Sequence, residues 1–141
     1  MQAKYLDVDP WRIIERDWDP NNHPKSESIF SIGNGRMGQR ANFEEQYSGR
    51  SLRGSYIAGV YYPDKTKVGW WKNGYPEYFA KVLNSVNWIG LDIEIDGVSV
   101  DLAQMEVDSF YRELNMREGY LLRSFEASFA DGKRISVQAQ R

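Results

Sequence analysis

Gly33, Gly35 and Gly38, within Ile29-Phe30-Ser31-Ile32-Gly33-Asn34-Gly35-Arg36-Met37-Gly38, have the spacing of a dinucleotide-binding fingerprint. Glycines so placed let the backbone approach a pyrophosphate, and the N-terminus of the following helix meets its charge. Ile29 to Ile32 could supply the preceding strand, but the pattern lacks the helix. Residues Gln39 to Arg50 carry no apolar stripe at helical spacing and run on into Gly54. The residues therefore favour a structural turn at Gly33, Asn34, Gly35 and Gly38, with Asn34-Gly35 at positive φ between two short strands.

Other chemistries find little to work with. His23 is the only histidine, which excludes a multi-histidine metal site and a two-histidine relay, and Asn22-His23-Pro24 reads as a loop. There is no cysteine and no G-x-S-x-G elbow, so thiolate metal ligation and the usual serine nucleophile are both absent. A carboxylate pair could do acid and base work, and Glu27, Glu44, Glu45, Glu77, Glu94 and Glu118 are available. Of these only Glu27, beside the apolar Ile29-Phe30, sits where burial could raise its pKa; surface or structural roles are favoured for all six. No catalytic residue is assigned, and neither a metal nor an organic cofactor is expected.

These side chains need a scaffold, and alternation supplies it. Leu91, Ile93 and Ile95 alternate with charged residues before Asp96-Gly97, and Val98, Val100 and Leu102 alternate after it, which predicts a hairpin with a type I′ turn. Phe125, Ala127 and Phe129, then Asp131-Gly132, then Ile135, Val137 and Ala139 repeat the signal. Each hairpin offers one apolar and one polar face, as a sandwich layer does. Val107 to Met116 fits strand or helix, with strand favoured, and between Gly54 and Trp71 Tyr56, Ile57, Val60, Tyr61 and Tyr62 favour strand, with turns expected at Pro63-Asp64 and at Lys72-Asn73-Gly74-Tyr75-Pro76. Trp11 to Trp18 is expected as a short strand or extended arm with Trp11, Ile13 and Ile14 inward. One helix is expected over Pro76 to Ser85, where Tyr78, Phe79, Val82, Leu83 and Val86 recur at helical spacing.

The motifs carry a resemblance. Glu27-Ser28-Ile29-Phe30-Ser31-Ile32-Gly33-Asn34-Gly35 with Gly38 and Arg40, then Gly54 to Tyr61, Asn87-Trp88, Leu91 to Leu102, and Leu114-Asn115-Met116-Arg117-Glu118-Gly119 follow one another in order. This succession resembles the N-terminal region of glycoside hydrolase family 65, which includes maltose, trehalose, kojibiose and nigerose phosphorylases. It runs from about Trp11 to Arg141, with Arg36-Met37 standing where the family usually has an aromatic followed by leucine. The resemblance implies an all-β antiparallel sandwich, the N-terminal part of a galactose-mutarotase-like supersandwich, ahead of an (α/α)6 catalytic barrel. It implies a parent α-glucoside phosphorylase or hydrolase in which a barrel glutamate protonates the leaving oxygen and inorganic phosphate, the co-substrate, attacks the anomeric carbon with inversion. That glutamate would lie far downstream of Arg141, so this chain alone is expected to be inert. Its implied partners are the barrel of the same polypeptide, the parent's disaccharide substrate and, in a homodimer, a second copy.

Composition agrees with such a domain. A 141-residue chain can bury roughly 70% of its unfolded surface in one core. A net charge of −2 disfavours a general nucleic-acid binder. No run approaches the ~20 apolar residues of a membrane helix, and the first residues lack the apolar core of a signal peptide. A cytoplasmic location is expected, with a periplasmic or secreted one open where a leader has been removed. Aromatics reach 14%. Trp70 and Trp71, with Tyr61, Tyr62 and Tyr75, could stack on a sugar, while packing or a domain interface is the favoured role. The alternative function is a stand-alone carbohydrate-binding module. Ile135 to Arg141 still alternates where the sequence stops, so a domain cut short and an exposed pairing edge are expected.

Overall fold

The long alternating runs after Met105 form the frame of the molecule. In the computed structural model, which describes residues 5–66 and 76–141, β10 (Glu106–Asn115), β11 (Tyr120–Ser128) and β12 (Arg134–Gln140) make an antiparallel meander. On the other side of β10 lies β2 (Arg12–Glu15), followed by β1 (Asp7–Val8), giving the order β1-β2-β10-β11-β12. Three smaller antiparallel units complete the described fold. They are β3 (Ile32–Gly33), β4 (Met37–Gln39) and β5 (Ser55–Ile57); the pair β6 (Tyr61–Lys65) and β7 (Tyr78–Val82); and the pair β8 (Glu94–Ile95) and β9 (Val98–Ser99). The architecture is the all-β antiparallel sandwich that the alternation predicts.

Cross-strand register sorts the inner face of the large sheet into rows. Ile13, Leu114 and Leu121 stand side by side, and so do Phe110, Phe125 and Val137. Between them runs a row of different character, Glu15, Arg112, Arg123 and Ala139. The two apolar rows seed two core clusters. One gathers Phe30, Ala41 and Leu121; the other gathers Phe43, Tyr47, Val100, Leu102, Phe110, Phe125, Ala127 and Phe129. The second layer thus comes from residues 41–47, the β8–β9 hairpin and the segment from Val100 to Leu102. At the tip of that hairpin Asp96 and Gly97 both have positive φ, 52° and 78°, as a type I′ turn requires.

Three expectations are corrected. Pro76 to Ser85 is not helical: Tyr78–Val82 is strand β7, paired along its length with β6. Its aromatic and β-branched residues fit a pleated ribbon as well as a helix stripe, and a partner strand decides between them. The helix is instead α1 (His23–Ile29), which takes up His23 and Ile29, read above as loop and strand. Its buried positions are His23, Pro24, Ser26 and Glu27, with Phe30 next; apart from Pro24 they follow an i, i+3, i+4, i+7 pattern written mostly in polar residues. Finally, Trp11 is 54% exposed, because it precedes β2, while Ile13 and Ile14 necessarily point to opposite faces of that strand.

Candidate functional site

Carboxylates are the side chains of this sequence best suited to chemistry, and the fold buries more of them than their sequence context suggests. Glu27 is fully buried on α1 and Glu45 nearly so in the loop above the sheet, and Glu15 from β2 joins them. Each is committed inside the protein. Glu15 accepts from Ser26 Oγ at 2.7 Å and faces Arg112 Nε at 3.4 Å. Glu27 accepts from Asn42 Nδ2 at 2.7 Å, from the backbone N–H of Leu52 at 2.6 Å and from Ser51 Oγ, and His23 Nε2 lies 3.2 Å away. Burial alone would raise its pKa, but these donors hold it down at about 2. A carboxyl held so low is a structural anion and a poor proton donor.

Arg123 closes the row from the other side. It grips Glu45 through two parallel hydrogen bonds and reaches Glu44 at 2.8 Å, and Glu44 also meets Arg141 Nε at 3.0 Å. Burial works to lower the Arg123 pKa, and Glu45 with Glu44 overcomes it, so the guanidinium stays charged. Phe43 lies between the two arginines, its ring centroid 5.4 Å from the Arg112 guanidinium carbon and 4.3 Å from that of Arg123. Among the described residues no group of three His, Cys, Asp or Glu is placed to hold a metal ion. Glu77, Glu94 and Glu118 are exposed.

The glycine motif forms the turn between β3 and β4. Of the Asn34-Gly35 pair expected at positive φ only Gly35 has it, at 82°, and Asn34 Oδ1 instead accepts from the N–H groups of Arg36 and Met37 at 3.0 and 2.9 Å. Those N–H groups would have to face a phosphate in a nucleotide site, and here the Asn34 side chain occupies them. Gly38 lies within strand β4, not at the start of a helix. Gly33, Asn34 and Gly38 also line a groove of about 610 Å³ with Trp88, Asn115 and Arg141.

The candidate sugar contacts divide. Trp70, Trp71 and Tyr75 lie outside the described residues. Tyr61 and Tyr62 both sit on β6, 58% and 57% exposed, and alternate to opposite faces of the β6–β7 ribbon. The Tyr61 face is mostly apolar, with Pro63 beside it on β6, Val82, Ala80 and Tyr78 across the register, and Lys65 at its end. The Tyr62 face carries the Asp64–Lys81 ion pair. The Tyr61 face continues into an apolar groove of about 390 Å³ lined by Met37, Ile57 and Val60.

Residues 13–141 match the family model described as the N-terminal domain of glycosyl hydrolase family 65. The chain belongs to that family. It is 46% identical to the maltose phosphorylase of Bacillus subtilis (strain 168) over 141 residues, covering 100% of this chain and 18% of that protein. Identity is 38% over 116 residues with the kojibiose phosphorylase of Halothermothrix orenii, covering 82% and 13%, and 31% over 138 residues with the α,α-trehalose phosphorylase of Thermoanaerobacter brockii, covering 93% and 17%. A solved structure described as "Putative kojibiose phosphorylase from human microbiome" superposes with a TM-score of 0.79 at 32% identity, over 98% of this chain and 18% of that one. The family 65 chain thus spans less than a fifth of the length of each of these relatives.

What sequence reasoning missed is the charged row itself. Glu15, Arg112 and Arg123 each stand in an alternating strand at positions that an apolar core would reserve for Leu or Phe. Their inward parity was the available signal.

Proposed function

We propose that this chain is the N-terminal β-sandwich of an α-glucoside phosphorylase, that it braces the catalytic barrel of the parent enzyme and contributes to dimer contacts, and that it cleaves no bond itself. One observation carries this: the carboxylates that the fold buries, Glu15, Glu27, Glu45, Asp101 and Glu113, all accept hydrogen bonds from donors within the chain. Acid catalysis by a glycosidase-type carboxyl needs a raised pKa and an open face toward the bond. Glu27 has the opposite shift and no open face. The apolar face of the β6–β7 ribbon favours a bracing role, because an exposed face of that kind suits contact with a larger body.

A chimera tests the proposal. This chain replaces the matching segment of the Bacillus subtilis maltose phosphorylase, and glucose 1-phosphate release from maltose and inorganic phosphate is followed for the chimera and for the chain alone. The chimera is expected to keep phosphorolysis and the chain to show none. Release by the chain alone, or an inactive chimera that is nonetheless folded, would overturn it.

A further inference from the structure

A broad cleft lies away from the glycine turn and the β6–β7 ribbon. It measures about 730 Å³ and opens between the segment leading into α1, the loop around Tyr47 to Arg50, and the start of β10. Its back wall is aromatic. Trp18 is half-buried there, 5.8 Å from Tyr47 edge to face and 5.1 Å from Phe110, so its indole is held in place by rings that are themselves buried. Around that wall stand Asp17, Arg50 and Ser109, and none of the three has a side-chain hydrogen bond or ion pair among the described residues.

The backbone has been adjusted at this point. The β10–β11 register shifts between Val107 and Ser109, leaving Asp108 as an extra residue. Such a bulge bends the strand and re-aims its side chains. Here it sets Asp108 and Ser109 at the cleft while Val107 still packs on the core. On the loop wall a Cβ at Gly49 would fall 2.4 Å from the far end of the Tyr47 ring, so a larger residue there would push the tyrosine tip from its place.

The geometry points to a saccharide-binding site in this cleft, with Trp18 as the apolar wall and Asp17, Arg50 and Ser109 as the polar contacts. The ligand class is set by the chemistry. A sugar ring presents an apolar C–H face and a rim of hydroxyls that both donate and accept. An aromatic surface bordered by a carboxylate, a guanidinium and a hydroxyl matches both. Asp17 and Asp108 against Arg50 give the cleft no cationic excess, which disfavours a phosphate or other anion. Only the choice of sugars to test rests on the family reading above; the site itself does not.

The test is an NMR titration of the 141-residue chain with maltose, trehalose and kojibiose in turn, and separately with inorganic phosphate. Saturable shifts of the Trp18 indole N–H and of the Arg50 and Ser109 amides are expected with at least one sugar and with phosphate not at all. Trp18→Ala could disturb the aromatic cluster, so the deciding variants are the exposed Asp17→Asn and Arg50→Ala. Each is expected to weaken binding about tenfold with an unchanged melting temperature. No saturable shift with any sugar, saturation that neither variant alters, or a response to phosphate alone would overturn the inference. The chimera's activity does not enter this measurement, so the two proposals fail independently.

Discussion

Arg112 Nη2 lies 3.4 Å from His23 Nδ1, with both side chains almost wholly out of solvent. A guanidinium can only donate, so Nδ1 offers its lone pair and the imidazole proton sits on Nε2, facing Glu27. A second proton on His23 would set an N–H against the guanidinium. Burial lowers the His23 pKa first, and the Arg112 charge adds to it against the opposing pull of Glu27.

Acid should therefore loosen the fold in two steps. The unfolded chain protonates His23 near the ordinary value of about 6.5, the folded chain only at lower pH. Between the two the unfolded state binds more protons, so stability falls as pH falls. Glu27 acts with the same sign further down: its stabilisation is present above its ordinary 4.5 and is lost as pH drops toward about 2. Urea midpoints of wild type and His23→Gln, measured from about pH 7 to 5, should show a decline in the first and a flatter line in the second. Parallel slopes would refute the role given to His23.

Arg123 and Glu45 should be hard to separate. Removing one partner leaves a buried charge alone and is expected to cost about 3–5 kcal/mol, as in Glu45→Gln or Arg123→Met. Replacing both with apolar residues should cost much less than the sum. A double-mutant cycle by chemical denaturation reads the coupling, and additive single effects would show that the pair does not act as a unit.

Gly97 offers a test of backbone chemistry alone. Its φ is 78° and nothing lies within 4 Å of where a Cβ would stand, so Gly97→Ala meets no clash. The left-handed conformation should still cost about 1–2 kcal/mol. Gly97→Asn should recover part of that, since Asn tolerates this region. Equal thermal midpoints for Ala and Gly would contradict the turn assignment.

On the β6–β7 ribbon, Tyr61→Ser combined with Val82→Ser removes apolar area that the chain itself leaves open. Stability should change by less than about 0.5 kcal/mol. In the chimera with the Bacillus subtilis enzyme the same pair should weaken assembly or activity. A large drop in the melting point of the chain alone would mean that the ribbon supports its own domain.

Much of the fold was legible because its strands alternate and its turns use Asp-Gly. β11 and β12 with Gly132, and the turn at Asp96-Gly97, came straight from those two signals. The misses share a cause. α1 is seven residues long and buries His23, Ser26 and Glu27, so hydrophobic periodicity was silent there. β7 carries residues that satisfy two periods at once, and only its pairing with β6 resolves them. Burial of Glu15 and Glu45 depends on arginines 97 and 78 positions away, partners that no local window can join. Of the aromatic contacts expected from sequence, Tyr61 and Tyr62 are seen on one ribbon, and Trp18 entered only once its cleft was visible.

The Glu15–Arg112–Arg123 row also has a bearing on how the strands find one another. Sliding β10 by one residue would turn Arg112 outward and bring Tyr111 or Glu113 into the interior. A slide of two would keep the parity yet set Phe110 or Leu114 beside Glu15, stranding a carboxylate without its cation. Greasy rows on their own tolerate such offsets. We expect this ionic key to admit one alignment of β2, β10 and β11 and to reject its near neighbours, so that the least oily stripe of the interior is the one that proofreads the sheet.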